Sequence, residues 1–332
     1  MGKYEEIRQI RTRQALTGSH TEAYTAGTGV IDHWIHGRAR YRGRESAAMR
    51  IAFLGPEGTF SEEAALAQAE RDNGTLVAFS SIPALVSAVE TGLADAAMLP
   101  IENSLEGSVS TTVDLLIHET TLKIRGELML PVRHFLAVVP GTTLSDIKLL
   151  TSHTQALGQC RRFLDRCLPG VEQEAALSTA SAVASVMEKG DSSRAAIGTQ
   201  RAAELYGAEV LAHDIQDNAN NVTRFVVLAR EDETPTGNDK TSVCFSIKAN
   251  VPGALFECLE DFAQNNIQMT KLESRPMKTQ IGAYYFLVDL EGHREDSKVA
   301  ETLERLSEKC AMVKIFGSYP MDPSVPSYEG GD

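Results

Sequence analysis

From residue 50 onward the chain alternates short apolar runs with segments of helical period, and that alternation restricts the fold more than any other feature. Apolar runs lie at 51–54, 76–79, 94–99, 135–139, 148–151, 195–198 and 222–228, each of strand length. Helical patterns fill gaps between them, over 82–91, 152–167, 178–189 and 199–206. A further helix opens at Thr59-Phe60-Ser61-Glu62, a capping-box pattern in which hydroxyl and carboxylate each satisfy a backbone N–H. Strands alternating with helices predict an α/β fold with largely parallel sheets. Ligands of such folds settle at the carboxyl ends of the strands.

The text on either side of this block differs. Residues 1–49 carry a net charge of +3, leaving −16 for the rest of a chain whose sum is −13. They are Thr/Gly/Ser/Ala-rich over 17–29 and Arg/Gly-rich over 37–44, which predicts a poorly ordered extension. Met49, directly before the strand read at 50–54, is an expected alternative start. The stretch 230–240, REDETPTGNDK, is polar and aperiodic with Pro and Gly. It ends the block at 232 and makes 233–240 a linker. A βαββαβ pattern follows over 241–320, a ferredoxin-like unit. Residues 321–332 read as a mobile tail.

Composition removes several classes of function. The acidic balance argues against a nucleic-acid binder. No run of 18 apolar residues predicts a membrane span, and no signal peptide is read. Five cysteines with no CxxC fit a reducing cytoplasm. The eight histidines show no ligand spacing, and no nucleotide-binding loop with its lysine is present, so neither metal nor ATP is expected.

What remains is polar clusters at strand-to-helix junctions: Gly55–Ser61, Leu99–Val109, Thr151–Cys160 and Asn220–Phe225. In the third, Ser152 is the expected N-cap, and Gln155 and Gln159 fall within roughly 60° of it on a helical wheel. A helix start with such a stripe suits a carboxylate and offers a neutral donor further along. Each cluster alone also has a plain structural reading. Gly55–Ser61 is foremost a tight turn, and Asn103, Glu102 and Thr223 are ordinary turn, surface and strand residues.

In order, GPEGTFSEEAA, PIENSLEGSV, SHTQALGQC and NNVTRF resemble the prephenate dehydratase family over residues 50–232. The βαββαβ unit resembles an ACT regulatory domain of the phenylalanine-responsive type, through Gly253-Ala254-Leu255-Phe256 and Glu273-Ser274-Arg275-Pro276. The resemblance implies a catalytic domain of two lobes like the type 2 periplasmic binding proteins, with the substrate between them. It implies conversion of prephenate to phenylpyruvate, carbon dioxide and water without a cofactor. It implies a homodimer or homotetramer with L-phenylalanine as effector. Thr223 matches the catalytic position. Thr59, Glu102, Asn103, Ser104, Ser152, Gln155, Gln159, Arg224 and Phe225 match substrate-binding or orienting positions. Arg224, one residue from Thr223 on a strand, is expected on the opposite face as a strut, and Phe225 as the floor of the crevice. Asn250, Gly253, Ala254, Leu255, Glu273 and Ser274 match effector positions. The same pattern leaves arogenate dehydratase, or a non-catalytic amino-acid sensor, as alternatives. A fused chorismate mutase is rejected, because 49 Gly/Thr-rich residues are too few for its helices.

Overall fold

The computed structural model describes residues 48–278 and 282–324. The expected extension and tail lie outside these residues, except for 48–49 and 321–324. Strand β1 (Arg50–Leu54) runs parallel to β2 (Thr75–Phe79) and β3 (Ala96–Asn103). The crossovers are helices α1 (Phe60–Asp72) and α2 (Ile82–Glu90), capped by the hydroxyls of Thr59 and Ser81. Strand β4 (Gly107–Ser108) folds back on β3, helix α3 (Ser110–His118) follows, and β5 (Lys123–Pro131) forms the far edge.

The chain then builds a second sheet from β6 (Phe135–Val138), β7 (Leu149–Ser152), β8 (Glu172–Ala175), β9 (Arg194–Gly198) and β10 (Glu209–Ala212), in the order β10-β6-β9-β7-β8. Its helices are α4 (Thr154–Gln159), α5 (Arg161–Cys167), α6 (Thr179–Lys189) and α7 (Gln200–Tyr206). Strand β11 (Val222–Ala229) returns to the first sheet and inserts between β3 and β5, antiparallel to both.

The fold is α/β, but its sheets are mixed rather than largely parallel. Hydrophobic runs do not encode direction. Strand β11 enters from the second sheet and therefore runs against β3, while β6 runs against both β9 and β10. Strand β5 escapes an apolar-run search because Arg125, Gly126 and Glu127 interrupt it. Glu127, buried to 3% exposure, is an ion-pair partner rather than a surface charge.

The last unit comprises β12 (Asp239–Ile247), α8 (Ala254–Gln264), β13 (Met269–Pro276), β14 (Tyr284–Glu291), α9 (Ser297–Lys309) and β15 (Cys310–Pro320). Its sheet is antiparallel, in the order β13-β14-β12-β15. One face packs on the two helices through Phe245, Phe262 and Leu306. The other continues the core of the first sheet, where Cys244, Leu287, Phe316 and Tyr319 join Leu116, Ile124 and Val226 in one cluster. Strand β12 starts inside the expected linker, because Asp239 and Lys240 are buried rather than solvated. Past Pro320 the chain stays anchored: Asp322 is buried and accepts the N–H of Met129 at 2.8 Å.

Gly317 sits where β15 presses on β5. A Cβ there would lie 2.1 Å from the carbonyl oxygen of Ile124. Backbone cannot yield as a side chain can, so Gly317→Ala should push the two strands apart. We expect a loss of about 1–3 kcal/mol or more, the usual cost of overpacking, read as a lower urea midpoint at unchanged slope. An unaltered midpoint contradicts this packing.

Candidate active site

An open cleft of about 810 Å³ lies where the end of β3 and the start of β11 face helix α4. A narrower pocket of about 200 Å³ adjoins it, and the two share Asn103, Gln155, Gln159 and Thr223. Thr223 stands directly opposite Asn103 in the β11–β3 ladder. A bulge sets that register, since Ile101 has no partner between the Glu102–Arg224 and Pro100–Phe225 pairs.

The polarity of this pair follows from its surroundings. Asn103 Oδ1 accepts the backbone N–H groups of Leu105 at 3.0 Å and Glu106 at 3.1 Å. Two donors on that atom identify it as the oxygen. Asn103 Nδ2 therefore donates, to Asn221 Oδ1 at 2.8 Å and to Thr223 Oγ1 at 3.0 Å. Thr223 is held as an acceptor, so its own hydroxyl hydrogen is left for the cleft.

The same logic runs on from Asn221, whose Nδ2 donates to Gln159 Oε1 at 3.1 Å. His134 Nε2 also meets Gln159 Oε1, at 3.0 Å. An amide oxygen only accepts, so His134 carries its hydrogen on Nε2. Its buried Nδ1 has no hydrogen-bond partner among the described residues. Burial pushes the His134 pKa down and outweighs the opposing bond to Gln159, so the ring is neutral. Phe60 packs edge-on against it, with ring centroids 5.6 Å apart. A chain of neutral amides thus links the second sheet to Thr223. His134 carried no sequence signal, being a lone histidine at the mouth of a strand.

Of the residues expected at the substrate, Thr59, Asn103, Gln155, Gln159 and Thr223 line the cleft or its pocket. Five do not. Ser152 is fully buried, and its hydroxyl donates to the carbonyl of Ile197 at 2.7 Å. The N-cap is instead His153, whose Nδ1 accepts from Gln155 N at 3.3 Å. Ser104 Oγ accepts the N–H of Val222 at 3.0 Å and pins the start of β11. Glu102 pairs with Lys271 at 3.1 Å. Arg224 points away into a buried cluster with Glu127 at 2.8 Å, Asp289 and Tyr319 Oη at 2.8 Å. Phe225 packs in the core with Ile51, Phe53 and Met98 rather than flooring the crevice.

The Gly55–Ser61 loop is mainly a joint. The Thr199 hydroxyl donates to the Gly58 carbonyl at 2.7 Å, and a Cβ on Gly58 would lie 3.1 Å from Ala202. Cys160 is no nucleophile, since burial pushes its thiol up to about 12.

Among the described residues no lysine or arginine lines either space. Positive potential comes from backbone instead, because the starts of α1, α4 and α6 converge on the narrower pocket. Caps occupy the N–H groups of Glu62 and Ser181. Phe60, Ser61 and Thr179 line the pocket, and their N–H groups have no acceptor within their helices, the usual setting for an anion. Among the described residues no group of three His, Cys, Asp or Glu side chains is placed to hold a metal ion.

His134 also predicts a pH response. Its folded pKa is lowered, whereas unfolded histidine titrates near about 6.5. Stability is therefore intact above that value and falls as pH drops below it, where only the unfolded chain takes the proton. His134→Asn should flatten this part of the acid limb, read as urea midpoints between about pH 7 and 5 around the histidine value. An NMR titration placing His134 at or above the ordinary value contradicts the neutral ring.

Comparison with known proteins gives a consistent answer. The family model described as prephenate dehydratase matches residues 51–233. A prephenate dehydratase of Mycolicibacterium vanbaalenii is 41% identical over 285 residues, covering 81% of this chain and 90% of that protein. The crystal structure of an Arthrobacter aurescens prephenate dehydratase in complex with L-Phe is 37% identical with a TM-score of 0.77, covering 84% of this chain and 92% of that one. The structure of GqqA, described as a novel type of quorum quenching acylase, is 34% identical with a TM-score of 0.74, covering 83% of this chain and 99% of that one. With the motifs, the cleft and these relatives in agreement, the chain belongs to the prephenate dehydratase family.

Proposed function

We propose that the neutral donors of this cleft hold prephenate and assist the departure of its ring hydroxyl, with Thr223 as the donor. The chain catalyses decarboxylative dehydration of prephenate to phenylpyruvate. The ring carboxylate leaves as carbon dioxide, and its bonding pair passes through the diene and expels the 4-hydroxyl. The ring becomes aromatic. The one proton needed to turn hydroxide into water reaches the departing oxygen through the Thr223 hydroxyl, which is reprotonated from solvent. The observation that carries this reading is the Asn103–Thr223 bond, which turns the Thr223 hydrogen outward. The helix starts around the narrower pocket suit the side-chain carboxylate of the substrate.

Residues 50–232 are assigned to the catalytic part. Two lobes of the periplasmic-binding type are supported by the two sheets, which are joined by two crossings with the cleft at their junction. Residues 241–320, with the strand beginning at Asp239, are assigned to an ACT unit responding to L-phenylalanine. Gly253, at φ +91°, opens α8, and Asn250 Nδ2 donates to the Gly282 carbonyl at 3.1 Å beside it. Ala254, Leu255 and Ser274 complete this effector side. Glu273 is removed from the direct contacts, for its carboxylate is taken by Ser108 and Lys271. Exposed Val251, Phe256, Leu272 and Tyr284 on this unit support pairing with a second copy.

Purified chain should form phenylpyruvate from prephenate. Thr223→Ala should lose about 10²–10⁴-fold in kcat, the span of general acid assistance, while Thr223→Ser keeps most of it. Asn103→Asp should lose as much, because a carboxylate would claim the Thr223 hydrogen. Unchanged kcat in Thr223→Ala removes the assignment. Comparing kcat/KM for prephenate and arogenate fixes the preferred substrate. The acylase neighbour raises amide hydrolysis as a second reading. That chemistry needs an activated nucleophile, and among the described residues no hydroxyl of this cleft is hydrogen-bonded to a histidine ring. Acyl-amide cleavage surviving Thr223→Ala would favour it.

A further inference from the structure

Strand β13 divides the second effector motif between its two faces, Ser274 and Pro276 on one, Glu273 and Arg275 on the face that grips the cleft. Side chains alternate along a strand, and burial follows, with Lys271, Glu273 and Arg275 sheltered and Leu272, Ser274 and Pro276 exposed. The sheltered residues pair opposite Asp289, Leu287 and Tyr285 and face the first sheet. The exposed face is the side of the helices, where α8 begins.

All three sheltered residues bind the single segment that runs from Glu102 to Asp114. Lys271 Nζ reaches Ser108 Oγ at 2.9 Å, Glu102 Oε2 at 3.1 Å and Glu273 Oε2 at 3.3 Å. Ser108 in turn donates to Glu273. Arg275 Nε binds Asp114 Oδ1 at 2.8 Å, and its Nη2 donates to the Ser110 carbonyl at 3.1 Å. Glu102 immediately precedes Asn103, and Ser108 lines the open cleft. One ammonium thus fastens both arms of the β3–β4 turn whose amide contacts orient Asn103.

We infer that Lys271 is a positioning residue: by clamping Glu102, Ser108 and Glu273 it fixes the turn that orients Asn103, and it passes the state of the effector face of β13 to the cleft. The inference rests on the phenylalanine-responsive reading above. A shift of β13 moves the clamp and the turn together, because the three partners leave the ammonium no slack. Lys271→Met keeps the stem but removes every polar contact. Lys271→Arg keeps the charge.

The test uses the full chain with prephenate as substrate, with and without saturating L-phenylalanine. Rates of the unmodified protein should differ by about 5- to 150-fold, the ordinary span of an allosteric coupling. Lys271→Met should bring that ratio to about one while phenylalanine still raises the thermal midpoint, and Lys271→Arg should restore part of the ratio. If Lys271→Met does not fold, Arg275→Gln serves in its place, with a reduced ratio expected. A Lys271→Met ratio equal to that of the unmodified protein overturns the inference. So does loss of the thermal shift along with the ratio, since Lys271 would then belong to the effector site itself. An active protein that ignores phenylalanine also overturns it and leaves the dehydratase reading standing. Failure to form phenylpyruvate at all counts against that reading instead.

Discussion

The cleft depends on β11 lying between β3 and β5 in the register that sets Thr223 against Asn103. A slip of one residue would send Thr223 into the interior and Arg224 into the cleft. The other side of the strand guards against that slip. Arg224 is enclosed by Glu127, Asp289 and Tyr319, with Lys240 sharing Glu127 at 2.8 Å and Ser242 bonded to both Asp289 and Tyr319. Burial works against the charges, but it is outweighed. Asp289, Tyr319 and Glu127 hold the Arg224 pKa above its ordinary value, and Arg224 and Lys240 hold the Asp289 carboxyl below its own. Removing one member of such a cluster costs about 3–5 kcal/mol, because an unpaired charge stays buried. The cluster therefore contributes register more than net stability.

That arrangement joins two parts of the chain that the sequence presents as separate. Asp289 and Tyr319 belong to the last sheet, and Cys244, Leu287 and Phe316 extend the first sheet's core. The unit beyond residue 238 is therefore part of the wall behind Thr223 rather than an appendage on a tether. It shares partners with β11, so on the reading proposed above an effector bound there would need no long route to the cleft.

The sequence carried the α/β class, most strands and the βαββαβ unit, because these reside in local periodicity and motif order. It also placed Arg224 on the face opposite Thr223, which follows from the two-residue period alone. It could not supply strand direction, the bulge at Ile101 or the burial of Ser152, each of which is decided by a partner far away in the chain. His134 was invisible for the same reason: its tautomer and charge follow from Gln159 and from burial, neither of which is local. Lys240 was read as part of the linker because a buried charge looks like a surface charge until its partners are known.

The absence of lysine and arginine from the cleft lining has a chemical reason on the reading proposed here. The ring carboxylate of prephenate loses its charge as carbon dioxide forms. A cation bound to it would favour the ground state over the transition state and slow the step. Charge builds instead at the departing hydroxyl, where a short, oriented donor such as Thr223 gains strength as the bond breaks. The side-chain carboxylate keeps its charge throughout and can be held by helix starts without affecting the barrier. A site that placed its positive potential at α1 and α6, and only neutral hydrogen bonds at the reacting ring, would separate binding from catalysis in this way. On that reading it is the helix starts, not side-chain cations, that let a strongly acidic protein accept a dianion.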